Sequence, residues 1–238
     1  MRFIQIIVIL SLIACKNGRD SNISHEKNNL NQNYDNRTYE ALKADLLKVK
    51  KGFKSAVISM PIKELNDSIV DFWVRSIGND IYKKWEGTPW DFNGVTETPK
   101  VGNIACGYFV TTVLRDMGVK LNRVKLATCA SLQMMKSICP TQKIQNLSYK
   151  SYDEFDDYIK VNGKGVYIIG LDFHTGFLVN DGYGNWFIHS NYIKREGVTK
   201  EAILNSVALK GSKTRWVVCL TKDKVFINNW LKDRESSN

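Results

Sequence analysis

Gly102-Asn-Ile-Ala-Cys-Gly-Tyr-Phe-Val-Thr-Thr-Val-Leu-Arg-Asp-Met-Gly118 is the stretch on which the reading of the chain turns. A glycine-bearing turn runs into a segment where Phe109, Val110, Val113, Leu114 and Met117 recur at helical spacing. That spacing predicts an amphipathic helix with one buried stripe. Gly118 supplies its stop. Cys106 stands at the start, on the N-terminal edge of the stripe. Free N–H groups and the positive end of the helix dipole favour a thiolate there. A small buried thiol that only packs is the alternative. The residues that bear on this choice lie about seventy positions downstream.

Upstream, a helix is expected over Tyr39–Phe53, with Leu42, Leu46, Val49 and Phe53 on one side. A second helical region is expected over Lys63–Trp85, interrupted near Gly78. Gly87-Thr-Pro-Trp-Asp-Phe-Asn-Gly94 follows as a turn-rich loop with two aromatic residues. Downstream, the pattern predicts a helix over Thr128–Ile138 and another over Ser151–Val161. In the latter, Ser151 and Glu154 form a capping-box pattern. A strand is expected over Val166–Leu171, and His174–Asn180 with Asn185–His189 reads as a hairpin around Asp181-Gly182-Tyr183-Gly184. A short helix near Thr199–Leu204, a strand over Thr214–Thr221 and a fraying C-terminal helix complete the reading. Helices first and a meander of strands afterwards define an α+β domain.

The hairpin holds the chemistry. His25 lies in a polar segment, and the other two of the three histidines sit on the two arms of this hairpin. Pairing His174 with His189, and Leu178 with Asn185, puts both imidazoles on one face with Cβ atoms about 5 Å apart. Gly176, on that face, would clear space for the helix bearing Cys106. A thiol needs a base to take its proton, and the base needs a third polar group to hold its tautomer. Cys106, His174 and His189 fit nucleophile, base and orienter. Asn191 or Ser190 substitutes for His189 if the strand register differs. A core histidine at a strand end is the alternative for each imidazole taken singly.

Three blocks resemble the NlpC-type cell-wall hydrolases, papain-like cysteine peptidases of bacterial envelopes. Gly87–Gly94 is similar to that family's G-x-P-Y-x-x-G-G loop. Ala105-Cys-Gly-Tyr-Phe-Val110 is similar to its D-C-S-G-F-V block. His174–Gly182 with Phe187-Ile-His189 is similar to its H-V-G-I-Y-x-G-x-G and I-H hairpin. The resemblance implies a papain-like domain that cleaves peptide bonds in peptidoglycan stem peptides, without metal or cofactor. It carries over Cys106, His174 and His189 as the catalytic set. Ala105 and Gly107 replace the family's Asp and Ser beside the nucleophile, and Trp90 stands where the family has Tyr. These three positions are the expected substrate contacts, and the Cys106 N–H is the expected oxyanion donor. The departures leave open an amidase or acyltransferase on the same fold, or a non-catalytic envelope lipoprotein. The stretch Asn122–Lys164 reads as an insertion that could form a lid or pocket wall.

The ends and the composition set the location. Arg2 and the apolar run Phe3–Ile13 read as a signal segment, residues 1–14, ending in Leu12-Ile13-Ala14-Cys15. This resembles a bacterial lipobox and implies lipidation of Cys15. Residues 15–38 then read as a polar tether and 39–238 as the catalytic domain. Of 238 residues 43% are hydrophobic, enough for a substantial core, and the formal net charge is +10. That charge is spread along the chain without an arginine-rich arm, zinc spacing or aromatic–basic signature, so nucleic acid is not the expected partner. An anionic membrane or wall fits it. Cys129 and Cys139 flank one expected helix at roughly 15 Å, too far for a disulfide, and with Cys219 read as buried thiols.

Overall fold

The structure is a computed structural model, and it describes residues 37–235. The expected signal segment, Cys15 and nearly all of the tether lie outside the described residues. Thr38 opens the compact part of the chain, and its side chain accepts from the Ala41 N–H as the N-cap of helix α1, Tyr39–Ala56. Helix α2, Ile62–Arg75, continues through a π-helical turn, Ser76–Ile81, into α3, Tyr82–Trp85. The break expected near Gly78 is therefore a widened turn within one helical run. A Cβ at Gly78 would lie 3.2 Å from Val179, so the widened turn brings backbone close against the sheet.

Helix α4, Cys106–Asp116, is the central element. Gly118, at φ +84°, ends it, donating to the Arg115 carbonyl. The stretch 122–164 then folds as α5, Arg123–Ala127, α6, Ser131–Ile138, the short strand β1, Gln145–Asn146, and α7, Tyr152–Asn162. The helix expected over Thr128–Ile138 is thus shorter and preceded by a separate one. The Ser151–Glu154 capping box is present in full. Cys106, Cys129, Cys139 and Cys219 are all free thiols.

Strands β2, Gly165–Gly170, β3, Thr175–Asn180, β4, Asn185–Asn191, β5, Gly197–Ala202, and β6, Trp216–Cys219, join β1 in a six-stranded sheet of order β1-β6-β2-β3-β4-β5. Every pairing is antiparallel. The expected helix near Thr199–Leu204 is instead edge strand β5 followed by a single 3₁₀ turn, Ile203–Asn205. Helix α8, Val207–Gly211, and helix α9, Lys224–Leu231, close the fold. The tail does not fray through α9, because Phe226 and Trp230 are buried in the core.

Alternation along the strands sorts the apolar side chains onto two faces. Phe177, Val179, Ile188 and Val198 face the larger core, built with α1–α4 and α9 around Trp73, Trp85 and Trp230. Leu178, Phe187, Ile169 and Tyr167 face a smaller core under α7 and α8. Helix α4 packs on the first face, with Phe109 edge-on to Phe177 at 5.9–6.2 Å of its aromatic neighbours Trp85 and Phe177.

Candidate active site

The hairpin pairs Phe177 with Ile188, Leu178 with Phe187 and Asn180 with Asn185. The expected register is therefore wrong by two residues. His189 lies beside Gly176, and His174 sits one residue ahead of β3 in the turn from β2, where its carbonyl accepts from Leu171 N–H at 2.9 Å. The four-residue loop sets this register. Asp181 Oδ1 accepts from the N–H groups of Tyr183 and Gly184, and Gly182 adopts φ +93°. A shift of two preserves parity, so both imidazoles still share a face. They meet diagonally, His174 Nε2 lying 2.7 Å from His189 Nδ1. Gly176 makes room for the hairpin itself. A Cβ there would come within 2.6 Å of the Phe187 ring and 2.8 Å of His189 Cβ. It is not the seat of the Cys106 helix, which lies on the opposite face.

The thiol meets the backbone at the start of β3. Cys106 opens α4 and is partly buried. The backbone N–H groups of Thr175, Gly107 and Cys106 itself face its sulfur. Thr175 is the residue after His174, so the thiol meets the peptide that follows His174. Among the described residues no hydrogen bond joins the thiol to His174. Burial raises the thiol's pKa above its ordinary value, and the three N–H groups oppose this without reversing it. Cys106 is thus a protonated thiol at rest, in contrast to the thiolate expected from the helix start alone.

Ala105 is the N-cap of α4 and supplies no side-chain acceptor. Its own N–H donates to Gly94, and Phe109 N–H is the first to find a carbonyl within the helix. The N–H groups at the helix start are consequently left for an anion. Gly107 has a packing reason: a Cβ there would come within 2.3 Å of the Ala127 carbonyl at the end of α5. Trp90 is held in a loop that is stitched to the segment before Cys106, with Ile104 N–H donating to Pro89 and Val198 N–H to Thr88. Its ring lies 6.3 Å from that of Tyr192, which in turn lies edge-on to His174 at 5.0 Å.

The structure adds a residue that the sequence reading missed. His189 Nε2 lies 3.0 Å from Glu201 Oε1 on β5. Burial would raise the Glu201 carboxyl, but hydrogen bonds from His189 and Ser206 outweigh it and hold the pKa below the usual value. Glu201 is therefore an ionised acceptor. Burial lowers both imidazoles, His174 well below the ordinary histidine value, so both are neutral near pH 7. These facts fix every proton. Glu201 accepts, so His189 donates from Nε2 and carries a lone pair on Nδ1. His174 must then donate from Nε2, which leaves its Nδ1 unprotonated. Ser190 and Asn191 are occupied elsewhere: Ser190 Oγ donates to the Ile104 carbonyl at 2.6 Å and Asn191 Nδ2 to Glu196 at 2.9 Å. Of the three residues considered beside His174, only His189 reaches it.

The signal for Glu201 was the alternation Val198, Lys200 and Ala202 against Thr199 and Glu201, which places a carboxylate on the His189 face once the segment is read as a strand. Tyr192 gave no signal, since it lies beyond β4 and reaches His174 through the tertiary fold. Neither a protein-family model, nor a curated protein, nor a solved structure matches this chain.

Proposed function

We propose that this chain is an envelope cysteine hydrolase of papain-like design, cleaving peptide or amide bonds and acting on peptidoglycan stem peptides. The observation that carries the reading is the ordered array Glu201–His189–His174, which leaves one unprotonated imidazole nitrogen, together with a thiol at an uncapped helix start whose sulfur meets the N–H of Thr175, the residue after His174. In this reading His174 Nδ1 takes the Cys106 proton as the sulfur attacks the scissile carbonyl. The oxyanion forms against the Cys106 N–H. The C–N bond then breaks, and His174 returns the proton to the leaving amine. Water, deprotonated by His174, hydrolyses the thioester and restores the thiol. Glu201 and His189 act by keeping His174 in this tautomer and orientation. The lipobox-like Leu12–Cys15 and the net charge of +10 support a lipid-anchored position at the membrane.

The test is to incubate the protein with wall-derived stem peptides and to look by intact-mass spectrometry for an acyl adduct on Cys106 and for newly exposed amines. Both are expected from the native chain and neither from Cys106→Ala. Turnover that survives Cys106→Ala would sink the reading.

A further inference from the structure

Among the described residues, the connection between α1 and α2 carries the largest group of exposed aliphatic side chains that are neighbours in sequence. Ile58 is 92% exposed, Ile62 71% and Val57 51%. Their exposure is built in. Ser59 and Met60 N–H both donate to the Ala56 carbonyl, closing a tight turn, and Leu65 N–H donates to Pro61 to start the next helix. Met60 packs inward against the larger core, which fixes the turn while Val57, Ile58 and Ile62 point away from it. Exposed single aliphatic residues are ordinary, but three on one tip are not.

Basic residues bracket that tip. Between Lys48 and Asp67 the chain has five lysines and two acidic residues. Lys50 is buried and committed to the Gly118 carbonyl and Asp233. Lys51, Lys54 and Lys63 are exposed around the apolar turn. Lys63 pairs with Asp67 and Lys54 with Asp233, both at the surface, where such pairs are weak and readily exchanged.

We propose that Val57–Ile62 is a membrane-contact tip, with Val57, Ile58 and Ile62 entering the acyl boundary of an anionic bilayer while Lys51, Lys54 and Lys63 meet its headgroups. Aliphatic side chains at a turn flanked on both sides by exposed lysines, with Glu64 the acidic residue nearest them in sequence, match that layered environment. The same lysines argue against a second copy of the chain, because a two-fold pairing of tips would bring like charges together. Among the described residues no helix is long and apolar enough to cross a membrane, so contact would be with one surface. Covalent geometry bounds the reach of the chain from Cys15 to Thr38 at about 80 Å, ample for a domain anchored at Cys15 to touch the bilayer again. The proposal is independent of the chemistry at Cys106.

The test is amide exchange read by mass spectrometry on the full chain, in phosphatidylcholine vesicles, in vesicles with three parts in ten phosphatidylglycerol, and in detergent micelles. Exchange over residues 57–62 is expected to slow on the anionic vesicles relative to micelles, and less on pure phosphatidylcholine. Ile58→Asp with Ile62→Asp should reduce that protection by about a hundredfold or abolish it. Both sites are exposed, so unchanged exchange in the core of the variant verifies its fold. Equal exchange in all three settings would overturn the proposal. So would protection that appears in solution and grows with protein concentration, which would assign the tip to a second copy of the chain.

Discussion

Helices α4 and α7 begin in opposite ways. At α7 the Ser151 hydroxyl accepts from Glu154 N–H, and the Glu154 carboxylate returns a bond to Ser151 N–H at 2.8 Å. Two backbone donors there are satisfied within the protein, and the helix end is a structural joint. At α4, Ala105 offers nothing, and the first N–H groups converge on a thiol. Capping residues at helix starts typically contribute about 1 kcal/mol. The chain lacks that contribution at α4, as it does at α2 and α6, and takes it at α7. What sets α4 apart is the thiol that its uncapped N–H groups face.

Substitutions that exchange or damage the two roles break this contrast most sharply. His174→Ala is expected to lower stem-peptide turnover by about a thousandfold, since it removes the proton acceptor, whereas Ser151→Ala should leave turnover unchanged. Steady-state kinetics on both variants reads the difference directly. Next in size is Glu201→Gln, which keeps a side chain of the same shape but loses the ionised acceptor that orders the two imidazoles. Turnover should fall by about tenfold, equivalent to roughly 1.4 kcal/mol, with KM little altered. A fall confined to KM would instead mark Glu201 as a substrate contact. Ala105→Asp would give α4 the cap it lacks. It should stabilise the fold by about 1 kcal/mol in urea titrations while slowing alkylation of Cys106 at fixed pH, because the new carboxylate competes for the N–H groups and disfavours a thiolate. Ser151→Ala should cost about the same 1 kcal/mol with no change in Cys106 alkylation.

The smallest expected effect concerns pH. His174 and His189 have pKa values lowered by burial from the ordinary 6.5. The unfolded chain therefore takes up more protons than the folded one as pH falls below that value. Their contribution is fully present above about pH 6.5 and is lost as pH drops toward the folded values. Thermal melts should show Tm falling between about pH 7 and pH 5, with a shallower slope in the His174→Asn, His189→Asn double variant. An unchanged slope would mean that both imidazoles are already solvated.

How far the sequence could be read follows from which signals are local. The stripe Phe109–Met117, the stop at Gly118 and the Ser151–Glu154 cap are written within single turns of chain, and each appears where the spacing puts it. The hairpin was legible in existence and parity but not in register, because pairings that differ by two residues expose the same faces. Only the Asp181 turn distinguishes them. Strand β5 was hidden by its polar residues Thr199, Lys200 and Glu201, which suit an edge strand with one covered face as well as a short helix. Reading it as helix concealed Glu201. The Trp90–Tyr192–His174 contact was illegible for a different reason: it joins three loops that only the folded sheet brings together.

Gly107 sets a condition on how such a molecule changes over generations. The Ala127 carbonyl occupies the space that any side chain at position 107 would need. A larger residue at position 107 and the segment 122–164 folded as it is here are therefore mutually exclusive. Changing Gly107 with the 122–164 segment in place would force the Ala127 backbone to move, whereas without that segment the clash would not arise. A graft that carried the 122–164 segment into a scaffold with a side chain at the position of Gly107 would carry that conflict with it.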